Sequence, residues 1–183
     1  MPVTRVREGL FSVLRDAAPD KWGRKVLGIM AGQYASTLTE MDILTAVHAS
    51  QRIGALAFGK NAADGPCSMA PWADEAAGLA PASDIEAVAR VIAQVDALRD
   101  DDDLEALRRQ LPEEAFMQAL ASSLSVGGGR PKTLVQAYDG PCIAKFSKRG
   151  DPWNEPRVEH ATMTLAALCG IDVAHTRVHE TES

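Results

Sequence analysis

The sequence predicts an α+β protein: a helical N-terminal region with a small strand element, followed by a β-hairpin, a helix and a last strand. Three observations predict it. Apolar residues recur at three- and four-residue spacing in most of the chain before Ser122. From Thr133 to Phe146 the pattern becomes two short runs around Asp139-Gly140, a tight-turn pair. An apolar helical run then opens at Glu159 and ends at Cys169-Gly170.

Val6, Leu10, Val13 and Leu14 predict a first helix from Val6 to about Ala17. Pro19-Asp20 breaks it and starts a second, which turns Trp22, Val26, Leu27, Ile29 and Met30 inward and stops at Gly32. Thr39 with Asp42 marks another start, with Met41, Leu44 and Val47 as its apolar face. Arg52 to Phe58 reads as a short strand. Asn61 to Ala82, rich in Gly, Pro and Ala, reads as a linker or loop with Trp72 as a packing anchor. Ser83-Asp-Ile-Glu86 has the form of a capping box, opening a helix with Ile85, Val88, Ile92, Val95 and Leu98 on one face. The four aspartates at 100–103 read as a solvated acidic loop before a helix from Leu104 to Gln110. Pro112-Glu-Glu then opens a helix to about Ala121, with Phe116, Met117 and Leu120 buried.

That helix leads into Ser122-Ser-Leu-Ser-Val-Gly-Gly-Gly-Arg-Pro-Lys132. Gly127, Gly128 and Gly129 let the backbone turn tightly and bring amide hydrogens close to an anion. A strand from Thr133 to Ala137 follows, then the return strand Cys142 to Phe146 carrying Lys145. A Walker A loop does not fit, because Pro131 precedes Lys132-Thr133 and a strand follows instead of a helix. The Rossmann pattern fails on the same topology. Glycine loop, strand lysine and helix glutamate in this order form the nucleotide-binding half of a kinase-like fold, a partial small lobe. Glu155 and Glu159 are rival partners for Lys145. Glu155 precedes Pro156, which biases it out of helix, so Glu159 is the expected one. The helix should pack through Met163, Leu165 and Leu168, and Val173 to Val178 should be the last strand.

Ser125-Val-Gly-Gly-Gly-Arg-Pro-Lys132, Ile143-Ala-Lys-Phe146, and Glu159 followed by Leu165-Ala-Ala-Leu-Cys-Gly-Ile171 closely resemble the HipA-like serine/threonine kinases, toxins of bacterial toxin–antitoxin modules. Phe11 to Trp22 and Gln51-Arg-Ile-Gly-Ala-Leu-Ala-Phe58 resemble the same family, in the same order. The resemblance implies that 1–60 is a remnant of an N-terminal subdomain, 61–82 a linker or loop, and 83–183 helices plus the small lobe. It implies that Val126, Gly127, Gly128 and Gly129 cradle the phosphates of ATP, that Lys145 neutralises them, and that Glu159 orients Lys145. Lys132 would add a further charge or stay solvated. Ser125 matches the family's autophosphorylated serine; its plainer reading is a loop-capping hydroxyl. Implied partners are a HipB-like DNA-binding antitoxin and a protein substrate of translation, such as an aminoacyl-tRNA synthetase.

The departure from the family is at the ends. No His/Arg-Asp-x4-Asn or Asp-Phe-Gly equivalent follows Glu159, so no catalytic residue is expected in this chain, and magnesium ligands are expected in a missing large lobe. The expectation is a fragment, inactive alone; the alternative is a non-catalytic remnant or split subunit that binds an antitoxin or partner chain. A net charge of -6 speaks against a nucleic-acid surface. Cys67, Cys142 and Cys169 have no metal spacing and suggest reduced thiols, and His175 with His179 lacks further ligands. No metal bound by side chains and no membrane association are expected, since no run of 18 apolar residues and no signal-type N-terminus is found. A cytoplasmic protein is expected.

Overall fold

The computed structural model describes residues 6–7, 10–32, 37–63, 65–67, 78–98 and 113–180. Mixed helix and strand is what it shows. The chain opens on two short antiparallel strands, β1 (Val6–Arg7) and β2 (Leu10–Phe11), so the expected first helix shrinks to α1 (Ser12–Asp16). Of its expected apolar face Leu10 is buried, and Val13 is left in solvent.

The signals at the next two helices hold. α2 (Lys21–Ala31) is capped by the Asp20 carboxylate on the Gly23 amide and ends at Gly32, whose φ of 56° takes the left-handed region that glycine tolerates. α3 (Glu40–Thr45) carries a complete capping box from Thr39 and Asp42. Leu44 and Val47 are buried, whereas Met41 lies half in solvent. Arg24 grips Glu40 through two bonds of 2.6 Å, joining α2 to α3. That fork-to-carboxylate geometry is the strong form of an ion pair. Its hydrogen bond from Arg24 holds the Glu40 carboxyl below the ordinary carboxylate range against the opposing effect of burial. The pair's contribution is therefore complete above the unfolded carboxylate pKa and is lost as pH falls through the lowered folded value. Acid titration followed by circular dichroism should show Glu40→Gln with a shallower loss of stability below about pH 5 than the native chain.

Arg52 to Phe58 is not a strand. Two carbonyls at helix ends, Leu44 and Ala17, take the Arg52 guanidinium, which also lies 4.7 Å from the Phe58 ring centre. The backbone follows that half-buried cation, and no described strand lies beside it. Trp72, the aspartate run and the expected Leu104–Gln110 helix fall outside the described residues.

The supposed linker ends in a strand, β3 (Ala80–Pro81), parallel to β4 (Lys132–Ala137), which pairs antiparallel with β5 (Gly140–Lys145). The hairpin loop is Tyr138-Asp139, with Gly140 at φ 129° opening the return strand. The Ser83 capping box does not form: Ala82–Asp84 is a 3-10 turn, Ser83 bonds Asp84, and α4 (Ile85–Ala97) starts without a side-chain cap. Val88, Ile92 and Val95 are buried as expected, joined by Val91.

One core gathers Trp22, Val26 and Leu27 of α2, Ile92 and Val95 of α4, and Leu120 of α5 (Glu113–Ala121). Gly23 is the close approach in that packing. An added Cβ there would stand 2.6 Å from the Leu124 carbonyl oxygen and 2.9 Å from the Pro19 side chain. Alanine favours helix by about 1 kcal/mol over glycine. The clash with fixed backbone should outweigh that, so Gly23→Ala is expected to destabilise by about 1–3 kcal/mol in a urea titration.

The last helix, α6 (Glu155–Leu168), is capped by Asn154 and carries Pro156 in its first turn. Glu155 is therefore inside the helix, contrary to expectation, because proline at the start of a helix removes no bond. Gly170, at φ 80°, follows its end. The expected inward face is not covered: Leu165 and Leu168 are exposed and Met163 is half-buried. Val173 to Val178 joins no sheet; it runs back past α6, where His160 and Thr176 share a bond of 2.7 Å. Among the described residues no helix is long and apolar enough to cross a membrane.

Candidate functional site

α5 delivers the chain to the glycine loop and anchors what comes after it. The buried Thr133 hydroxyl donates to the Ala119 carbonyl at 3.1 Å, and the Leu134 amide donates to the Ser122 carbonyl at 3.1 Å. β4 therefore starts directly against the helix end. Leu124 and Val126 are buried, fastening the loop's first half to the core.

Two further bonds hold the ends. The Ser125 hydroxyl accepts from the Ile53 amide at 2.9 Å, and the Pro131 carbonyl accepts from the Phe146 amide at 3.1 Å. Between them Gly127 and Gly129 face open space, and Gly128 takes φ 111°, a left-handed conformation that favours glycine. The Gly127 amide is turned back onto the Ser125 carbonyl at 3.1 Å, while among the described residues the Gly128 and Gly129 amides meet no backbone acceptor. Those two, with the Val126 amide, which likewise meets no backbone acceptor among the described residues, are the donors available to an anion.

Lys132 folds over the loop. Its ammonium donates to the Gly127 carbonyl and occupies the space a Cβ on Gly128 would need. Lys132 and Lys145 are directly opposed in the β4–β5 register, so both project from the same face of the hairpin. Like charges directly opposed are destabilising, and the arrangement calls for anions. Glu159 supplies one: its carboxylate accepts a hydrogen bond from the Lys145 ammonium. Both side chains are about two-fifths exposed, so this pair contributes little to stability, on the order of 0.2–1 kcal/mol, and acts chiefly to aim the lysine.

Glu155, the rival, binds elsewhere. It accepts from the Trp153 indole at 2.7 Å and faces Arg130 at 3.4 Å. The structure thus brings together Gly127 to Gly129, Lys132, Lys145 and Glu159, with Ser125 and Val126 at the loop's base. The sequence reading missed the Ile53 amide, which holds Ser125, and Arg130, which pairs with Asp151 and Glu155. Arg130 carried a signal, a cation inside a glycine loop; the Ile53 bond spans 72 residues and left none.

An open depression of about 410 Å³ lies at the other end of the hairpin, between Pro81, Tyr138, Asp139 and Arg177. It has one cation and no glycine-rich backbone, so the loop face is the better anion site. Among the described residues no group of three or more His, Cys, Asp or Glu stands close enough to hold a metal ion.

Residues 124–183 match the model of one protein family, the HipA-like C-terminal domain. No curated protein and no solved structure matches the chain.

Proposed function

We propose that this chain, a HipA-like protein through residues 124–183, binds the phosphates of ATP on its glycine loop, as the nucleotide-binding half of a protein serine/threonine kinase toxin. The carrying observation is the Lys145–Glu159 pair beside Lys132 and the loop. Two ammonium groups on one sheet face, one steered by a helical carboxylate, suit a polyphosphate. The residues fit that group: the Gly128 and Gly129 amides are open, and the space beside Gly127 and Gly129 is clear. Lys145 would hold the phosphates, Glu159 would fix Lys145, and Lys132 would leave the Gly127 carbonyl to join them. ATP itself supplies the phosphoryl group. Magnesium, which is held by one or two carboxylates together with the phosphates themselves, would accompany ATP in this reading.

Ser125 suits the role of autophosphorylated residue in this reading. A phosphate on its hydroxyl would stand beside the phosphate-binding loop, compete with ATP for the same donors, and displace the Ile53 amide. The protein substrate belongs to translation, an aminoacyl-tRNA synthetase being the type, with a HipB-like antitoxin as regulator and the cytoplasm as the setting.

A second reading has its own support. Val158, Leu165, Leu168 and Ile171 are 48%, 62%, 80% and 60% exposed. Such an apolar stripe along α6 and just past its end suits a non-catalytic subunit that binds an antitoxin or partner chain. Thermal denaturation with ATP separates the two: a rise in the native melting temperature supports the nucleotide site, and no rise supports the partner-binding remnant.

A further inference from the structure

We infer that Arg130 is a positioning residue that locks the glycine loop to the first turn of α6, rather than a ligand for the bound phosphates. The inference rests on the phosphate-binding reading of the loop.

Arg130 follows the third glycine directly, so its side chain sets where the glycine span of the loop ends. One guanidinium nitrogen lies 2.6 Å from Asp151 and another 3.4 Å from Glu155. Only the planar fork of arginine spans two carboxylates in this way; a lysine ammonium is a single point. Both acceptors are themselves held. Asp151, 11% exposed at its side chain, also accepts the Lys148 amide at 3.0 Å, and Glu155 accepts the Trp153 indole. The turn that carries Asp151 is tied to the core, because the Arg149 amide donates to Asp96 of α4 at 3.0 Å. The Arg130 hydrogen bond holds the Asp151 carboxyl below the ordinary range, and the Asp151 bond raises Arg130 in return.

Glu155 and Glu159 are four residues apart on α6 and so share a face. Glu155 takes Arg130 from the loop, and Glu159 takes Lys145 from β5. One helix face therefore sets loop and lysine side by side. With both neighbouring carboxylates on it, the Arg130 charge is already matched and has little left for phosphate.

The test uses Arg130→Ala and Asp151→Asn in the full chain, with amide exchange by mass spectrometry and titration with a non-hydrolysable ATP analogue. Exchange of the Gly127 and Phe146 amides, which bond the Ser125 and Pro131 carbonyls at the loop's two ends, should rise about two- to fivefold without nucleotide in both variants, the scale of an exposed ion pair. Affinity for the analogue should fall by a similar factor in both, with melting temperatures within about 2 °C of native. If Arg130 binds phosphate directly, Asp151→Asn frees it and tightens binding, and the inference is overturned. Unchanged loop exchange in both variants overturns it as well. A native chain that fails to bind the analogue, with exchange raised as expected, removes the phosphate reading and leaves the lock standing.

Discussion

ATP should protect the native chain against heat, and Lys145→Ala should remove half or more of that protection. A ligand at about a hundred times its dissociation constant stabilises the folded state by about 2.7 kcal/mol. For a chain of this size that corresponds to a rise of about 5–10 °C. Lys145 is the cation that Glu159 aims, and a charge-assisted bond to phosphate is worth about 1.5–3 kcal/mol. Its loss should weaken binding by about 10- to 150-fold and cut the shift to between about a half and a tenth of the native one at the same ATP concentration. The variant's own melting point should stay within about 2 °C of native, because the Lys145–Glu159 pair is exposed. Glu159→Gln keeps the cation and loosens its aim, so a reduced shift is expected there. Scanning fluorimetry with and without ATP reads all three chains. Equal protection of native and Lys145→Ala would remove Lys145 from the site.

Leu120→Ala should be the most damaging single truncation. Leu120 is fully buried in α5, which packs against both α2 and α4. Removing a buried leucine side chain costs about 2–5 kcal/mol, the transfer of its atoms plus the cavity left behind. Its melting point should fall by about 5–15 °C. Leu165→Ala on α6 removes the same atoms from a residue 62% exposed and should change stability by less than about 0.5 kcal/mol. Circular dichroism melts compare the pair, and equal losses would contradict the placement of the core in the N-terminal helices.

What the sequence disclosed and what it hid divide by range. Asp20, Gly32, Thr39 and Asp42 act within one helical turn of themselves, and those boundaries were legible. The loop, hairpin lysine and helical glutamate were legible for a similar reason: their order in the chain is their order in the site. Arg52 to Phe58 misled because its residues suit a strand, while Arg52 is drawn to two distant carbonyls and Ile53 to the Ser125 hydroxyl. Ala80–Pro81 is too short for any period to show. At Ser83 the 3-10 turn after Pro81 pre-empted the box. Leu165 and Leu168 have helical spacing, but spacing says which residues share a face and not whether anything covers it.

The fastening of the loop at both ends bears on how tightly it can bind. Fixing the backbone of one residue costs about 1–2 kcal/mol in conformational freedom. With Ser125 tied to Ile53 and Pro131 tied to Phe146, the freedom a ligand must still remove is confined to the short glycine span between them. The larger part of that loss was met when the chain folded, so most of each contact that a phosphate made there would remain as affinity.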